Sequence, residues 1–338
     1  MRTEVLTSDA ALHALRPEWE ALWRRAAANT TPFQSPAWLL PWWRAFGTCR
    51  PRVAALREDD GRLVGLLPLY LLDEGRETKL LPIGIGVSDY LDVLLDPDAP
   101  PDAAVRLLES ALAASHEATS CDLTDLPPGA ALRDAPAPPG WRDGGARPSG
   151  PCPVLPLPRG AALPEVLSRR RRAALRNARN RAERAGGLSI RTATAETLDG
   201  CLEALFALHR ARWDARGEPG GVLADPRVPA LHREAAPGLL SQGALRLQVL
   251  DLGGTPAAAH YALLGGGRVL LHLSGFDAAR ARESPGAVLL GDLIEWALAE
   301  GCSELHFLRG DEDYKYTWGA ADRFNAARRL LPPERAQA

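Results

Sequence analysis

The chain has 338 residues, 46% of them hydrophobic and 24% charged, with a formal net charge of -2. That composition fits a globular protein with two cores of common size and excludes a chain drawn as a whole to nucleic acid or to an anionic membrane. The longest apolar runs, such as Leu66–Leu72, are too short to span a bilayer, and the first residues lack the unbroken apolar core of a secretion signal.

The first predicted element is an amphipathic helix over Ala10–Ala28, with Leu12, Leu15, Trp19, Leu22 and Trp23 on one face. An aromatic-rich helix is expected over Pro36–Phe46. Arg52–Leu56 and Leu63–Leu71 read as strands joined by the hairpin turn Asp59-Asp60-Gly61. Short strands are expected at Leu80–Ile83, Tyr90–Leu94 and Cys121–Leu123, with a helix over Asp102–Ser115 between the last two. Pro127–Pro158 is so dense in proline and glycine that it reads as an irregular connector. It divides the chain into domains at residues 1–150 and 151–338.

The second half opens with a very basic helix over Ala162–Arg184. Its arginines read as a solvated face, or as a surface for an anionic acceptor or donor, RNA or a membrane; with few apolar residues between them, deep membrane insertion is not expected. A strand at Leu188–Thr192 and helices at Ala195–Asp214 and Val228–Ser241 follow. Leu245–Asp251, Pro256–Leu264 and Arg268–Phe276 read as an antiparallel meander, with glycine turns between them. A helix over Gly286–Glu300 and a strand at Glu304–Leu308 complete a strand–helix–strand unit, which requires a right-handed crossover and parallel neighbours. The fold class expected is α/β: a mixed, largely antiparallel sheet with one splayed parallel pair, present as tandem copies.

A splayed pair leaves an opening, and the free amides of the intervening helix favour an anion there. Ser284-Pro285-Gly286 is a fitting start for that helix, and Arg280 and Arg282 just before it are candidates for pairing with phosphate oxygens. The second candidate cluster is Leu308–Gly319, which packs Asp311, Glu312, Asp313, Tyr314, Lys315 and Trp318 after the last parallel strand. Only two of the 40 basic residues are lysines, Lys79 and Lys315, so a lysine here stands out from the arginine background. His260 and His272 read as packed strand residues; His209-Arg210-Ala211-Arg212-Trp213 reads as a helix-packing face, with lining of the acceptor side as the alternative. No carboxylate or cysteine stands at metal spacing, so no metal is expected. Five scattered cysteines without a CxxC pair point to reduced thiols and a cytoplasmic location.

The run Ser274-Gly275-Phe276-Asp277, Ser284-Pro285-Gly286, Ile294-Glu295-Trp296-Ala297, Phe307-Leu308-Arg309-Gly310-Asp311, Tyr314-Lys315 and Trp318-Gly319 resembles the C-terminal signature of the CelD-like acetyltransferases, a branch of the GNAT superfamily related to the Fem peptidyltransferases. Phe33-Gln34-Ser35-Pro36-Ala37-Trp38, Val87-Ser88-Asp89-Tyr90-Leu91-Asp92 and the basic helix Arg169–Arg184 are similar to other segments of that family. The resemblance implies tandem GNAT-like domains, the second an acyltransferase using acetyl-CoA or another acyl-CoA as substrate, and the first shaping the acceptor site. The usual GNAT pyrophosphate loop is replaced by Arg282-Glu283-Ser284-Pro285-Gly286.

On this reading Ser274, Gly275, Arg280, Arg282, Ser284 and Gly286 bind the donor. Backbone amides near Leu273–Gly275 receive the oxyanion. Lys315 stabilises it or a substrate phosphate, Tyr314 protonates the leaving thiolate, and Asp311 accepts a proton. The expected acceptor is a small metabolite, a sugar or another saccharide precursor. Two other readings stand beside it: a Fem-like aminoacyl transferase, whose donor would be charged tRNA, and a binding protein without catalysis on the same fold.

Overall fold

The computed structural model describes residues 1–48 and 50–333, which form two compact units divided between Gly150 and Pro151. The described residues from Phe324 on belong to the first unit. No helix among the described residues is long and apolar enough to cross a membrane.

The first unit begins with β1 (Arg2–Leu6), α1 (Asp9–Ala14), α2 (Arg16–Arg25) and α3 (Pro36–Phe46). The single helix expected over Ala10–Ala28 is two helices, because Pro17 sits at the start of α2 and allows a new helix to begin at Arg16. Then come β2 (Pro51–Arg57), β3 (Leu63–Asp73), β4 (Thr78–Pro82), β5 (Leu94–Leu95), α4 (Ala103–Ala113), β6 (Ser120–Leu126), α5 (Ala131–Asp134) and β7 (Arg142–Asp143).

Tyr90–Val93 is not the strand expected, since its polar groups are used elsewhere. The Leu91 amide donates to the Asp125 carbonyl, the Gln34 amide group donates to the carbonyls of Asp92 and Val93, and the Asp92 carboxylate accepts from the amides of Ala131 and Leu132. Trp38 Nε1 donates to Ser88 Oγ at 2.9 Å, so the two segments singled out in this half form one buried clasp.

The second unit contains β8 (Arg147–Pro156, from Pro151 on), α6 (Leu163–Val166), α7 (Arg169–Arg184), β9 (Leu188–Thr192), α8 (Leu198–Asp214), α9 (Arg227–Ser241), β10 (Leu245–Leu252), β11 (Thr255–Gly265), β12 (Arg268–Phe276), α10 (Pro285–Ala299), β13 (Glu304–His306) and α11 (Asp313–Tyr316). A last strand, β14 (Ala321–Leu331), begins here, and from Phe324 on it belongs to the first unit.

The strand order is β1-β2-β3-β4-β6-β14 in the first unit and β8-β13-β12-β11-β10-β9 in the second. Each sheet has one parallel pair, β4 with β6 and β12 with β13, and in each a helix (α4 or α10) lies between the pair in sequence. The fold is mixed α/β with this plan used twice.

Two elements correct the sequence reading. The proline-rich connector contains β8, which pairs with β13 through Val154↔His306 and Leu155↔Leu305. Its prolines still accept: the Phe307 amide donates to the Pro153 carbonyl, and that of Gly310 to Pro151. The other is β14, which the sequence reading left out; it pairs with β6 through Leu330↔Cys121 and Arg328↔Leu123.

The core of the second unit lies where α7 and α10 cover the sheet, around Leu175, Leu271, Leu293, Ile294 and Trp318. Gly291 permits that approach, because a Cβ there would stand 2.6 Å from the Leu175 side chain. On the other face α8 lies directly on β12: a Cβ at Gly275 would stand 2.5 Å from the His209 amide nitrogen.

Candidate active site

β12 and β13 run together only over Arg268–Leu270 and Glu304–His306. Beyond that point β12 carries a bulge at His272, and the chain after β13 follows β8 instead. Leu308 takes a left-handed conformation there, with φ 58°. Ser284, the N-cap of α10, is the other strained residue of this unit, with φ 54° and ψ 51°. The diverging strands and the start of α10 bound a cavity of about 350 Å³.

Ser274, Gly275 and Phe276 of β12 form one wall, and Ser284 and Gly286 another. Tyr314 and Trp318 enter from the segment after β13, and Arg171 from the first turn of α7, whose N-cap Ser168 accepts from the Arg171 amide. Arg212, in the last turn of α8, and Arg216, just beyond its end, complete the rim. His260 of β11 also lines the cavity and is only 4% exposed. Among the described lining residues there is no carboxylate.

The Arg212 guanidinium donates to Ser274 Oγ at 3.1 Å and lies 5.0 Å from the Phe276 ring. Arg171 stacks 3.6 Å over the Trp318 ring. Burial lowers the pKa of both arginines, which nevertheless stay charged. Burial also pushes the Tyr314 phenol up to about 12, with Glu312 acting in the same direction and Arg212 and Arg216 against it, so the phenol keeps its proton at neutral pH.

Of the donor-binding residues expected from sequence, Ser274, Gly275, Ser284 and Gly286 meet at the cavity; of the catalytic ones, only Tyr314 does. Arg280 and Arg282 lie outside the lining, and Arg282 is exposed. Arg181 of α7 donates to the Arg282 carbonyl at 2.7 Å and so fixes the loop by its backbone. Positive charge reaches the cavity from α7 and α8 instead. Asp311 is exposed and outside the cavity.

Lys315 is buried, and its ammonium donates to the carbonyls of Leu308, Arg309 and Gly310 at 3.3, 2.8 and 3.0 Å. It also pairs with Glu312 at 2.8 Å, so its donors are occupied in holding the turn. Burial pushes the Glu312 carboxyl up, but the Lys315 contact outweighs it and the net shift is down.

Sequence reasoning did not single out Arg216, and it offered Arg171 only as one arginine of a basic helix; His260 is packed as expected, 4% exposed, and also lines the cavity. The available signals were the arginine density of α7 and the His209–Trp213 stretch of α8; Arg216 lies past the end of that helix. His209 does pack, with Nδ1 3.0 Å from the Ser274 carbonyl. Tyr261, which follows His260, turns to the α9 face and meets His232 with ring centroids 5.0 Å apart.

Burial holds three of these histidines neutral. It lowers His209 to about 4 and, with Arg212, His260 to about 3, and takes His232 well below the ordinary value. Their folded pKa values lie below the unfolded value of about 6.5, so the unfolded chain binds more protons in acid. Their contribution to stability is full above pH of about 6.5 and is lost as the pH falls toward 4. Thermal melts from pH 7 to 4 are expected to show a falling midpoint that begins near the upper value, before most carboxylates titrate.

Residues 169–316 match the family model described as the acetyltransferase (GNAT) domain. The matched stretch lies in the second unit and contains every residue lining the cavity except Trp318. No curated protein matches the sequence.

Among solved structures, FemX superposes with a TM-score of 0.65 at 13% identity, covering 96% of this chain and 97% of its own. A conserved protein of unknown function from Bacteroides thetaiotaomicron gives 0.62 at 13% identity, covering 97% and 100%. L-PGS from Bacillus licheniformis gives 0.55 at 14% identity, covering 91% and 94%. At these identities the likeness is one of fold. In the first unit the space between the ends of β4 and β6, beside Pro82 and Leu123, is a cavity of only about 10 Å³.

Proposed function

We propose that the GNAT domain transfers an acyl group, acetyl first among them, from an acyl-CoA thioester to an amine or hydroxyl of a small metabolite, sugar or polysaccharide precursor. The observation that carries this reading is the cavity itself. It is bounded by the first turn of a 15-residue helix, rimmed by three arginines and free of carboxylates. Coenzyme A brings phosphates and a long, mostly neutral arm. The first turn of α10 at Gly286 suits the former, and Leu271, Phe276 and Leu290 offer an apolar wall to the latter.

In this reading the amides of Leu273–Gly275, beyond the last β13 partner, face the charge that develops on the acyl oxygen. Tyr314 gives its proton to the departing sulfur. Lys315 holds the turn that presents Tyr314, and Asp311 has no chemical role. The motifs from Ser274 to Gly319 favour the CelD-like branch, and the scattered cysteines, none at CxxC spacing, favour a reducing, cytoplasmic setting.

Turnover of acetyl-CoA with a panel of amines tests the assignment. Tyr314→Phe is expected to lower kcat by about a hundredfold or more, while Asp311→Asn leaves it unchanged. Equal activity in wild type and Tyr314→Phe would remove the phenol from the mechanism.

An aminoacyl-tRNA donor is the second reading, favoured by the exposed Arg169, Arg170, Arg176 and Arg184 on α7. Charged-tRNA binding that falls steeply with salt, with no response to CoA, would decide for it.

A further inference from the structure

We propose that Arg212 and Arg216, with Arg171, form an anion subsite for the acceptor, so that the acceptor carries a carboxylate or phosphate beside its nucleophile. The proposal rests on the acyltransferase reading.

Some arginines of this unit are ion-paired, Arg179 with Glu295 at 2.6 Å, Arg191 with Asp251 at 2.9 Å and Arg233 with Glu203 at 2.7 Å, while others, such as Arg246 stacked on Trp296, are not. What sets the cavity apart is that two such arginines meet at one opening. Arg212 and Arg171 are half-buried and form no salt bridge, Glu312 acting on Arg212 only at longer range, and the Nε of each is buried and unbonded. Beside them His260, 4% exposed, leaves Nδ1 without a partner. Unpaired guanidinium groups and an orphaned ring nitrogen are costly to withdraw from water. A ligand anion offsets that cost for the guanidinium groups.

The position assigns the anion to the acceptor. Arg212 is bonded to Ser274, within the stretch that receives the acyl carbonyl. In coenzyme A the phosphates are separated from the thioester by the whole pantetheine arm. An arginine at the acyl seat therefore meets a charge that the acceptor brings. Arg212 and Arg216 form a two-pronged clamp of the kind that carboxylates and phosphates fit.

Calorimetric titration of the CoA-saturated protein with O-phosphoethanolamine and with ethanolamine tests this. The phosphorylated amine is expected to bind at least about tenfold tighter, and Arg212→Gln and Arg216→Gln are each expected to erase the difference while CoA affinity changes by less than about twofold. Arg216 is exposed, so its replacement leaves the fold intact. Equal binding of the two amines would overturn the proposal. So would loss of CoA affinity in step with the phosphate preference, because the arginines would then serve the donor. Should CoA fail to bind while the arginine-dependent phosphate preference persists on the protein alone, the subsite stands and the acyl-CoA reading falls.

Discussion

Replacing Trp318 with alanine is expected to destabilise the second unit by about 3–5 kcal/mol. The indole is 2% exposed and packs in the same core as Leu155, Leu175 and Leu293. Its loss removes a large apolar surface and leaves a cavity that helices clamped on a sheet fill only in part. It also removes the ring under the Arg171 guanidinium, a stacking contact worth about 1–2 kcal/mol when partly desolvated. Denaturant unfolding followed by far-UV circular dichroism checks this, with Trp318→Phe expected to recover much of the loss. A change below about 1 kcal/mol for the alanine variant would show that the ring is not part of the core.

Lys315→Met is expected to cost about 2–4 kcal/mol in the same unit. Three carbonyls converge on the ammonium within 3.3 Å, and Glu312 loses its counter-ion. Leu308, held at φ 58°, is bonded through its carbonyl to this same ammonium. Lys315→Arg is not expected to rescue, since a planar fork cannot point its donors at three oxygens gathered round one nitrogen. Calorimetric melts separate this role from the catalytic one that sequence position suggests. A variant with an unchanged melting midpoint and no turnover would return Lys315 to the chemistry.

Much of the second unit was legible because its signals are local. Gly253-Gly254 and Gly265-Gly266-Gly267 mark the turns of the meander, and Ser284-Pro285 marks the start of α10. The strand–helix–strand step then required the parallel pair that opens the cavity. β8 and β14 were hidden for different reasons. β8 is a run of prolines whose carbonyls bond although they lack amides to donate. β14 reads as a short polar tail whose partners lie far back in sequence at Cys121–Leu126.

The site was half legible. Motif order pointed to Ser274, Gly286 and Tyr314, which line the cavity, whereas Asp311, Arg280 and Arg282, singled out by charge, lie in loops outside its lining. Arg171 and Arg212 act through the third dimension. Each lies on a helix whose sequence says only that it is basic or amphipathic, and their convergence appears only when α7 and α8 are placed on either face of the sheet.

Isothermal titration of CoA into wild type and Gly286→Asp tests most directly whether the start of α10 holds the donor's phosphates. A Cβ at Gly286 would meet only the Phe276 ring, at 3.6 Å, and an acidic residue in a first helical turn is neutral or stabilising, so the variant should melt with the wild type. CoA is expected to bind the wild type and to lose at least about tenfold in affinity to the variant, because like charges then meet at the helix end. Undiminished CoA binding by a folded Gly286→Asp protein would contradict the placement of the donor there.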